Sequence, residues 1–353
     1  RDVYKIQMSM GYLDNNGIIW GDRFKTVRSR INLEIKLTKF LNVGMTTQFA
    51  DRDESQVTTD YNLARTLSPW GEPFNEDGTY KWRPNNEASG GNHPYYTPSL
   101  TDRRVKITTL NTTLFGQINL PLGITYRINY TPNFEFYERY DALSSKHADQ
   151  AATGGTASRQ QAKTFYWQLD NMFKWNKTFG SHNFDATALI NAEKYQKWDN
   201  TMTNRGFLPS DVLSWHNIST GTNPTVGSND EYSTGDGLMG RLFYSFRDRY
   251  MITLSARRDG YSAFGQANPR ATFPSVALGW VFTDEKFFKS SWLNYGKLRA
   301  SWGVNGNRDI GRYVALSNLI TGKYLYVKGD GTVYQSNQLY VDRMQNANLK
   351  WEK

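Results

Sequence analysis

Apolar and polar residues alternate with period two over most of the chain. Between residues 4 and 12 the even positions are Tyr4, Ile6, Met8, Met10 and Tyr12, with Lys5, Gln7, Ser9 and Gly11 between them. Ile31, Leu33, Ile35 and Leu37 repeat the pattern, as do Val43, Met45, Thr47 and Phe49. It returns at 110–120, 124–130, 165–175, 184–192, 238–246, 250–256, 274–282 and 298–302. Side chains of a strand point alternately to its two faces, so these segments predict about eleven half-apolar strands. None of the apolar faces carries Arg, Lys, Asp or Glu. The opposite faces hold Arg127, Asp170, Lys174, Asp185, Glu193, Arg241, Arg247, Arg257, Lys297 and Arg299. Val105 and Ile107 are out of phase with Leu110 onward. A bulge near Thr108–Thr109 or a strand end outside the apolar zone accounts for that.

The connections alternate in length. Residues 38–42, 121–123, 176–183 and 247–249 are short links, and 283–296 is an intermediate one in a short slot. Residues 51–104, 139–163, 194–236 and 258–272 are long. Short turns at one end and long loops at the other are the habit of an antiparallel barrel in an outer membrane, with the long loops outside. Long loops are otherwise uncommon in compact domains. The fold expected is therefore all-β, an antiparallel transmembrane β-barrel with long extracellular loops and short periplasmic turns.

Composition agrees. Hydrophobic residues make up 38% and aromatics 15% of 353 residues, which suits a wall that meets lipid outside and water inside. No apolar run is long enough for a transmembrane helix. With no cysteine, a disulfide scaffold and a thiolate metal site are excluded. The net charge of +9 is dispersed rather than blocked, which argues against nucleic acid as a partner. Arg1-Asp2-Val3-Tyr4 is neither a signal peptide nor a Met start.

Little points to covalent chemistry. Gly235-Asp236-Gly237-Leu238-Met239-Gly240 fits G-x-G-x-x-G but leads into a strand, where a dinucleotide fold needs a helix. His93, His147, His182 and His216 lie too far apart in sequence for a helical zinc pair, and no G-x-S-x-G elbow occurs. No metal, cofactor or catalytic residue is assigned. Asn111-Thr112-Thr113, Asn176-Lys177-Thr178 and Asn217-Ile218-Ser219 match a glycosylation sequon, which carries no meaning if the protein is bacterial. The long loops are rich in aromatics: Trp70, Tyr80, Trp82, Tyr95 and Tyr96 in one, Trp198 and Trp215 in another. Flat rings stack on sugars and pack on peptides, so these are the candidate contacts for a ligand or partner. Packing of the loops on themselves is the competing role.

Several stretches resemble the SusC/RagA family of TonB-dependent outer-membrane transporters of Bacteroidetes. L-R-A-S-W-G-V-N-G-N-R-D-I-G at 298–311 is similar to that family's strand ending in S-[aromatic]-G-x-x-G-N. R-R-D-G-Y-S-A-F-G at 257–265 and F-P-S-V-A-L-G-W at 273–280 resemble its strand, loop and returning strand. N-A-N-L-K-W-E at 346–352 is similar to N-P-x-L-x-W-E, with Ala347 where Pro is usual, and G-Y-L-D-N-N-G at 11–17 resembles an early hairpin. The resemblance spans the chain. It implies an importer of oligosaccharides or peptides, energised through TonB and capped by a SusD-like lipoprotein, with no cofactor and no covalent step. Family barrels have 22 strands around an N-terminal plug. About 11–13 strands are expected here, so residues 1–353 read as a partial barrel domain, with the plug and the TonB-contacting segment outside it. Two rivals remain: a surface β-protein that binds glycans without transporting them, and a barrel enzyme.

Overall fold

The computed structural model describes residues 4–86, 91–207 and 209–352. Eleven strands form one antiparallel sheet, each hydrogen-bonded to the next in sequence. They are β1 (Tyr4–Asn16), β2 (Arg23–Lys36), β3 (Leu41–Asp53), β4 (Thr101–Asn119), β5 (Ile124–Leu143) and β6 (Thr156–Phe179). β7 (His182–Arg205), β8 (Thr225–Phe246), β9 (Tyr250–Tyr261), β10 (Arg270–Val281) and β11 (Lys297–Gly303) complete it. All eleven apolar segments read from the sequence fall on these strands.

The register shows why the alternation matters. Ile190 pairs with Leu238, Leu242 with Leu254, and Leu278 with Ala300, so apolar positions of neighbouring strands share one face. Ile190, Leu238, Leu254 and Leu278 are exposed on it. Tyr126, Trp175, Phe184, Tyr244, Tyr250 and Trp280 mark its short-turn end, where Phe184 lies 4.9 Å from Tyr244 and 6.2 Å from Trp175. Moving away from those turns, the same face first carries charge at Asp14, Lys25, Asp51, Lys106, Glu138, Lys163, Lys194, Asp236, Arg258 and Arg270 on β1 to β10. A charge-free band thus runs across the whole sheet, edged by aromatics. This is the lipid face of a barrel wall, where an Arg or Lys at midplane costs about 2–4 kcal/mol.

The strands outrun that band. β6 and β7 are each 24 residues long and stay paired from Phe179↔His182 to Thr156↔Arg205. Much of what the sequence assigned to long loops at 139–163 and 194–236 is therefore paired strand. The loops shrink to 144–155 and 206–224. β4 likewise pairs with β3 and β5 without a register shift, so no bulge exists near Thr108–Thr109. Val105 is buried on the other face, beneath Ser55. The strand-end explanation holds: β4 continues beyond the band.

The short links are tight. Gly180 and Ser181 alone join β6 to β7, with Gly180 at φ 58°. Arg247, Asp248 and Arg249 join β8 to β9; the first two, at φ 53° and 52°, are the left-handed residues of a type I′ turn that Arg249 N closes onto Phe246 O at 3.0 Å. Compact hydrophobic packing sits at the opposite end. Tyr140, Ala142, Ala157, Phe207 and Trp215 form one buried cluster, and Phe264, Ala271 and Trp351 another. A separate hairpin, β12 (Asn318–Val327) with β13 (Val333–Arg343), lies outside the main sheet and is exposed on both faces.

Candidate functional site

The charged face of the wall carries the densest polar network. Odd positions of β7 and β9 and even positions of β6 point to it. The Tyr166 hydroxyl lies 3.1 Å from Glu193 Oε2 and 2.9 Å from Gln168 Oε1. Gln168 Nε2 donates to Asp170 at 2.8 Å. Arg257 donates from Nε to both oxygens of Asp259 at 2.8 Å and from Nη2 to Asn191 at 3.3 Å. The glycines of the G-D-G sequence make the space. A Cβ on Gly237 would stand 2.2 Å from Asn191 Oδ1, and one on Gly235 would stand 2.5 Å from Glu193 Oε1. That motif lies inside β8, so its glycines serve the network and not a phosphate.

A segment from beyond β11 is laid on this network. Arg308 donates to Glu193 and Arg312 to Glu231. The Arg312 guanidinium sits 3.7 Å from the centre of the Tyr195 ring, and the Tyr313 hydroxyl accepts from the Tyr232 backbone N–H at 2.7 Å. Three stretches distant in sequence hold the segment in place. The Phe264 ring stacks on Trp351 at 4.9 Å, and Phe273 meets Trp351 edge-on at 5.4 Å. Gly265 N donates to Leu349 O at 2.9 Å, and Asn307 N to Glu352 O at 2.9 Å. Gly306 and Gly265 are both required: a Cβ would come within 2.2 Å of the Phe273 ring and 2.1 Å of Ala347 O respectively. The result is a cleft of about 380 Å³ bounded by Tyr166, Asn191, Glu193, Arg257, Asp259 and Arg308. Its cations and carboxylates already face each other, so it offers both signs of charge within one cleft. No group of three or more potential metal ligands occurs among the described residues.

The aromatic candidates scatter into different roles. Tyr80 and Tyr95 pack with His93 and Phe74, Tyr80 lying 4.8 Å from His93 and 5.4 Å from Phe74. Trp82 lies under the Arg83 guanidinium at 4.1 Å. Tyr96 packs on His147 at 5.0 Å, and its hydroxyl accepts from Ala148 N at 3.0 Å. Trp215 is 8% exposed, set against Tyr140 and His216. Trp198 is not in a loop: it lies within β7, on the same face as Lys163, whose ammonium is 5.7 Å from its ring. The long pairing of β6 with β7 carries it there. Trp70 is 93% exposed, its ring fully presented to solvent.

Two histidines help to hold these outer segments. His93 Nδ1 accepts from Tyr95 N at 3.1 Å, and His147 accepts from Asp149 N through Nδ1 at 3.2 Å while its Nε2 meets Thr97 Oγ1 at 3.0 Å. Burial lowers the pKa of both rings, Asp149 opposing slightly at His147. Asp211 fastens the 206–224 loop to the end of β5. Burial pushes its carboxyl up, but hydrogen bonds from Ser145 N at 2.5 Å and Ser144 Oγ at 2.8 Å outweigh this and hold it below the usual carboxylate range.

Glu193 and Arg257 were legible as charges of the inner face. Their association with Arg308 was not, because it joins segments 115 residues apart. The glycines at 235 and 237 were the available signal, being small residues inside an otherwise well-formed strand.

No family model matches the chain. It is 26% identical to TonB-dependent receptor P39 of Formosa agariphila, over 99% of this chain and 33% of the relative. It is 24% identical to TonB-dependent receptor SusC of Bacteroides thetaiotaomicron, over 98% of this chain and 36% of SusC. The chain thus spans about a third of the length of the curated relatives it matches. Among solved structures, the RagAB peptide importer in its open-open state matches with a TM-score of 0.83 at 19% identity, covering 99% of this chain and 39% of that one. The RagAB peptide transporter matches at 0.82 and 18%. The two-faced antiparallel sheet and the matched relatives agree with the motifs along the sequence: over nearly its whole length the chain is similar to part of the β-barrel of TonB-dependent receptors such as SusC.

Proposed function

We propose that residues 1–353 belong to one β-barrel domain and supply part of the wall of an outer-membrane nutrient importer. The observation that carries this reading is the contrast between the two faces of the sheet. One is free of charge between its aromatic row and its first charged residues. The other bears Glu193, Arg257, Asp259 and Arg308 around a cleft that suits polar, hydrogen-bonding cargo. Oligosaccharides and peptides are such cargo, and the likeness to the RagAB peptide importer supports the peptide member of that pair. Import is energised through TonB and works with a SusD-like lipoprotein at the outer end. The protein performs no covalent chemistry on its cargo.

Among the loop aromatics, Trp70 is the first candidate for contact with cargo or partner, because its ring is open. Tyr80, Trp82, Tyr95 and Tyr96 are half-buried and contribute ring edges and loop shape. Trp215 and Trp198 act through the loop base and the wall.

The test uses the full-length protein. Its mobility on a detergent gel should change on boiling, and cells lacking it should lose uptake of one labelled cargo class. A protein that migrates identically boiled and unboiled, and partitions as soluble, overturns the reading. Trp70→Ala should weaken cargo binding without altering the heat-dependent mobility.

A further inference from the structure

Beyond the apolar band, the ladder between β8 and β9 ends early. β8 begins at Thr225, but β9 stops at Tyr261, which pairs with Gly235. From Thr225 to Thr234, β8 therefore has a strand partner on the β7 side only. The backbone groups turned to the other side belong to its even residues. Tyr232 N donates to the Tyr313 hydroxyl at 2.7 Å, and that hydroxyl donates to Asp230 O at 3.4 Å. Thr234 N donates to Ser262 Oγ, and Ser262 N to Thr234 O, both at 2.9 Å. Alternate residues of a strand turn their N–H and C=O the same way. The N–H and C=O of Val226 and Ser228 thus share this side, and neither residue has a backbone partner there among the described residues.

Such an edge is a template for a further strand, and proteins usually blunt it with lysine, proline or a bulge. Thr225-Val226-Gly227-Ser228-Asn229 has none of these: it is exposed throughout, uncharged, and paired with β7 without a register shift. Val226 is 83% exposed, and a Cβ on Gly227 would meet no atom within 4 Å. The edge is bounded at both ends. Pro224 precedes it, and Tyr313 and Ser262 close it at 230–234. The open stretch is about seven residues, or roughly 23 Å.

We propose that this edge of β8 captures an extended peptide, which adds itself as a short strand beside Thr225–Glu231. The inference rests on the importer reading above and names peptide as the cargo class. Main-chain pairing accepts many sequences, because every peptide carries the same alternating donors and acceptors. A sugar chain has no such row. A second copy of the chain is disfavoured by size, since a seven-residue edge buries far less than the ~1,200 Å² of a stable protein interface. Charge adds a preference. Glu231 is taken by Arg312, whereas Asp230 is exposed and has no ion-pair partner among the described residues. A basic side chain on the peptide would find its opposite there. At the lower end of the edge the Arg308 guanidinium lies 5.1 Å from the centre of the Tyr261 ring, so the added strand points toward the cleft of Glu193 and Arg308.

The full-length protein in detergent is offered a labelled heptapeptide of alternating threonine and valine with a central lysine, and binding is read by fluorescence anisotropy. The wild type should also bind the same peptide methylated at every second amide nitrogen, which keeps one edge free. Methylation of every amide should weaken binding about tenfold or more. Ser228→Pro deletes a donor on the open side and spares the ladder with β7, so it should weaken binding about tenfold with heat-dependent mobility unchanged. Asp230→Asn should weaken binding of the lysine peptide about threefold and leave its norleucine analogue unaffected. The methylation series uses the unaltered protein, so its result stands whatever Ser228→Pro does to folding. No binding by the wild type, equal binding of the three peptides, unchanged binding by a folded Ser228→Pro, or a dimer formed through this edge overturns the proposal and leaves the importer reading in place. Cargo uptake that persists in cells lacking the protein overturns the importer reading itself.

Discussion

Arg308 donates to Glu193 across the charged face of the wall, joining the segment after β11 to the middle of β7. Glu193 is largely enclosed, whereas Arg308 keeps about half its side-chain surface. The pair lies between an exposed ion pair and a buried one, so its coupling should be about 1 kcal/mol, closer to the exposed end. Glu193→Gln and Arg308→Gln should each speed hydrogen exchange at residues 306–313. The double variant should add little to either single one. Additive effects would show that the two side chains act independently.

The aromatic clasp on Trp351 is the second hold on that segment. Trp351→Ala removes the partner of both Phe264 and Phe273 and should cost about 3 kcal/mol locally, the lower end for a buried aromatic. Limited proteolysis should then cut near residues 346–350. Gly265→Ala should give the same pattern, because its new methyl group meets Ala347 O at 2.1 Å.

The two faces of the wall should respond oppositely to charge. Leu254→Arg places a cation in the charge-free band and should cost about 2–4 kcal/mol on folding into bilayers. Thr253→Arg, one residue earlier and on the other face, should be close to neutral. Equal costs would contradict the assignment of faces.

Much of this was legible in the sequence, for a physical reason. A strand that separates lipid from water must alternate strictly, so β1 to β11 announce themselves within the band. Above the band both faces meet water. Lys194-Tyr195-Gln196-Lys197-Trp198 has no period to read, yet it is strand because β6 supplies a partner for every residue. Trp198 was misplaced for that reason. β12 and β13 were missed because the hairpin carries Leu325 and Val327 on one face and Tyr324 and Tyr326 on the other. The cleft was only half legible: its charges were on the page, but the turn of the chain that brings Arg308 and Trp351 to them depends on contacts of long range.

Acid should loosen the outer segments. His93 and His147 are neutral in the folded state, their pKa lowered by burial. Unfolded rings bind protons near pH 6.5. The stability these residues contribute is present above that pH. It declines as pH falls, because the unfolded state takes up protons first, and is fully lost below the folded pKa. Protection against hydrogen exchange at 91–100 and 144–150, taken relative to the intrinsic rate at each pH, should therefore fall from pH 7.5 to 5, and His147→Gln should flatten the response at 144–150.

The turn between β8 and β9 holds two non-glycine residues at positive φ. Replacing Arg247-Asp248 with Asn-Gly matches the preference of a type I′ turn and should raise stability by about 1 kcal/mol. A higher temperature for the mobility shift on gels would register it.

The 24-residue pair of β6 and β7 has an outcome for the cell surface. At about 3.3 Å per residue and a tilt near 45°, such strands rise roughly 55 Å, about twice the height of the apolar band. The excess forms a stiff collar standing clear of the lipid. A protease arriving from outside would meet paired backbone along that collar, and only at its rim, at 144–155 and 206–224, would it reach chain outside the strands.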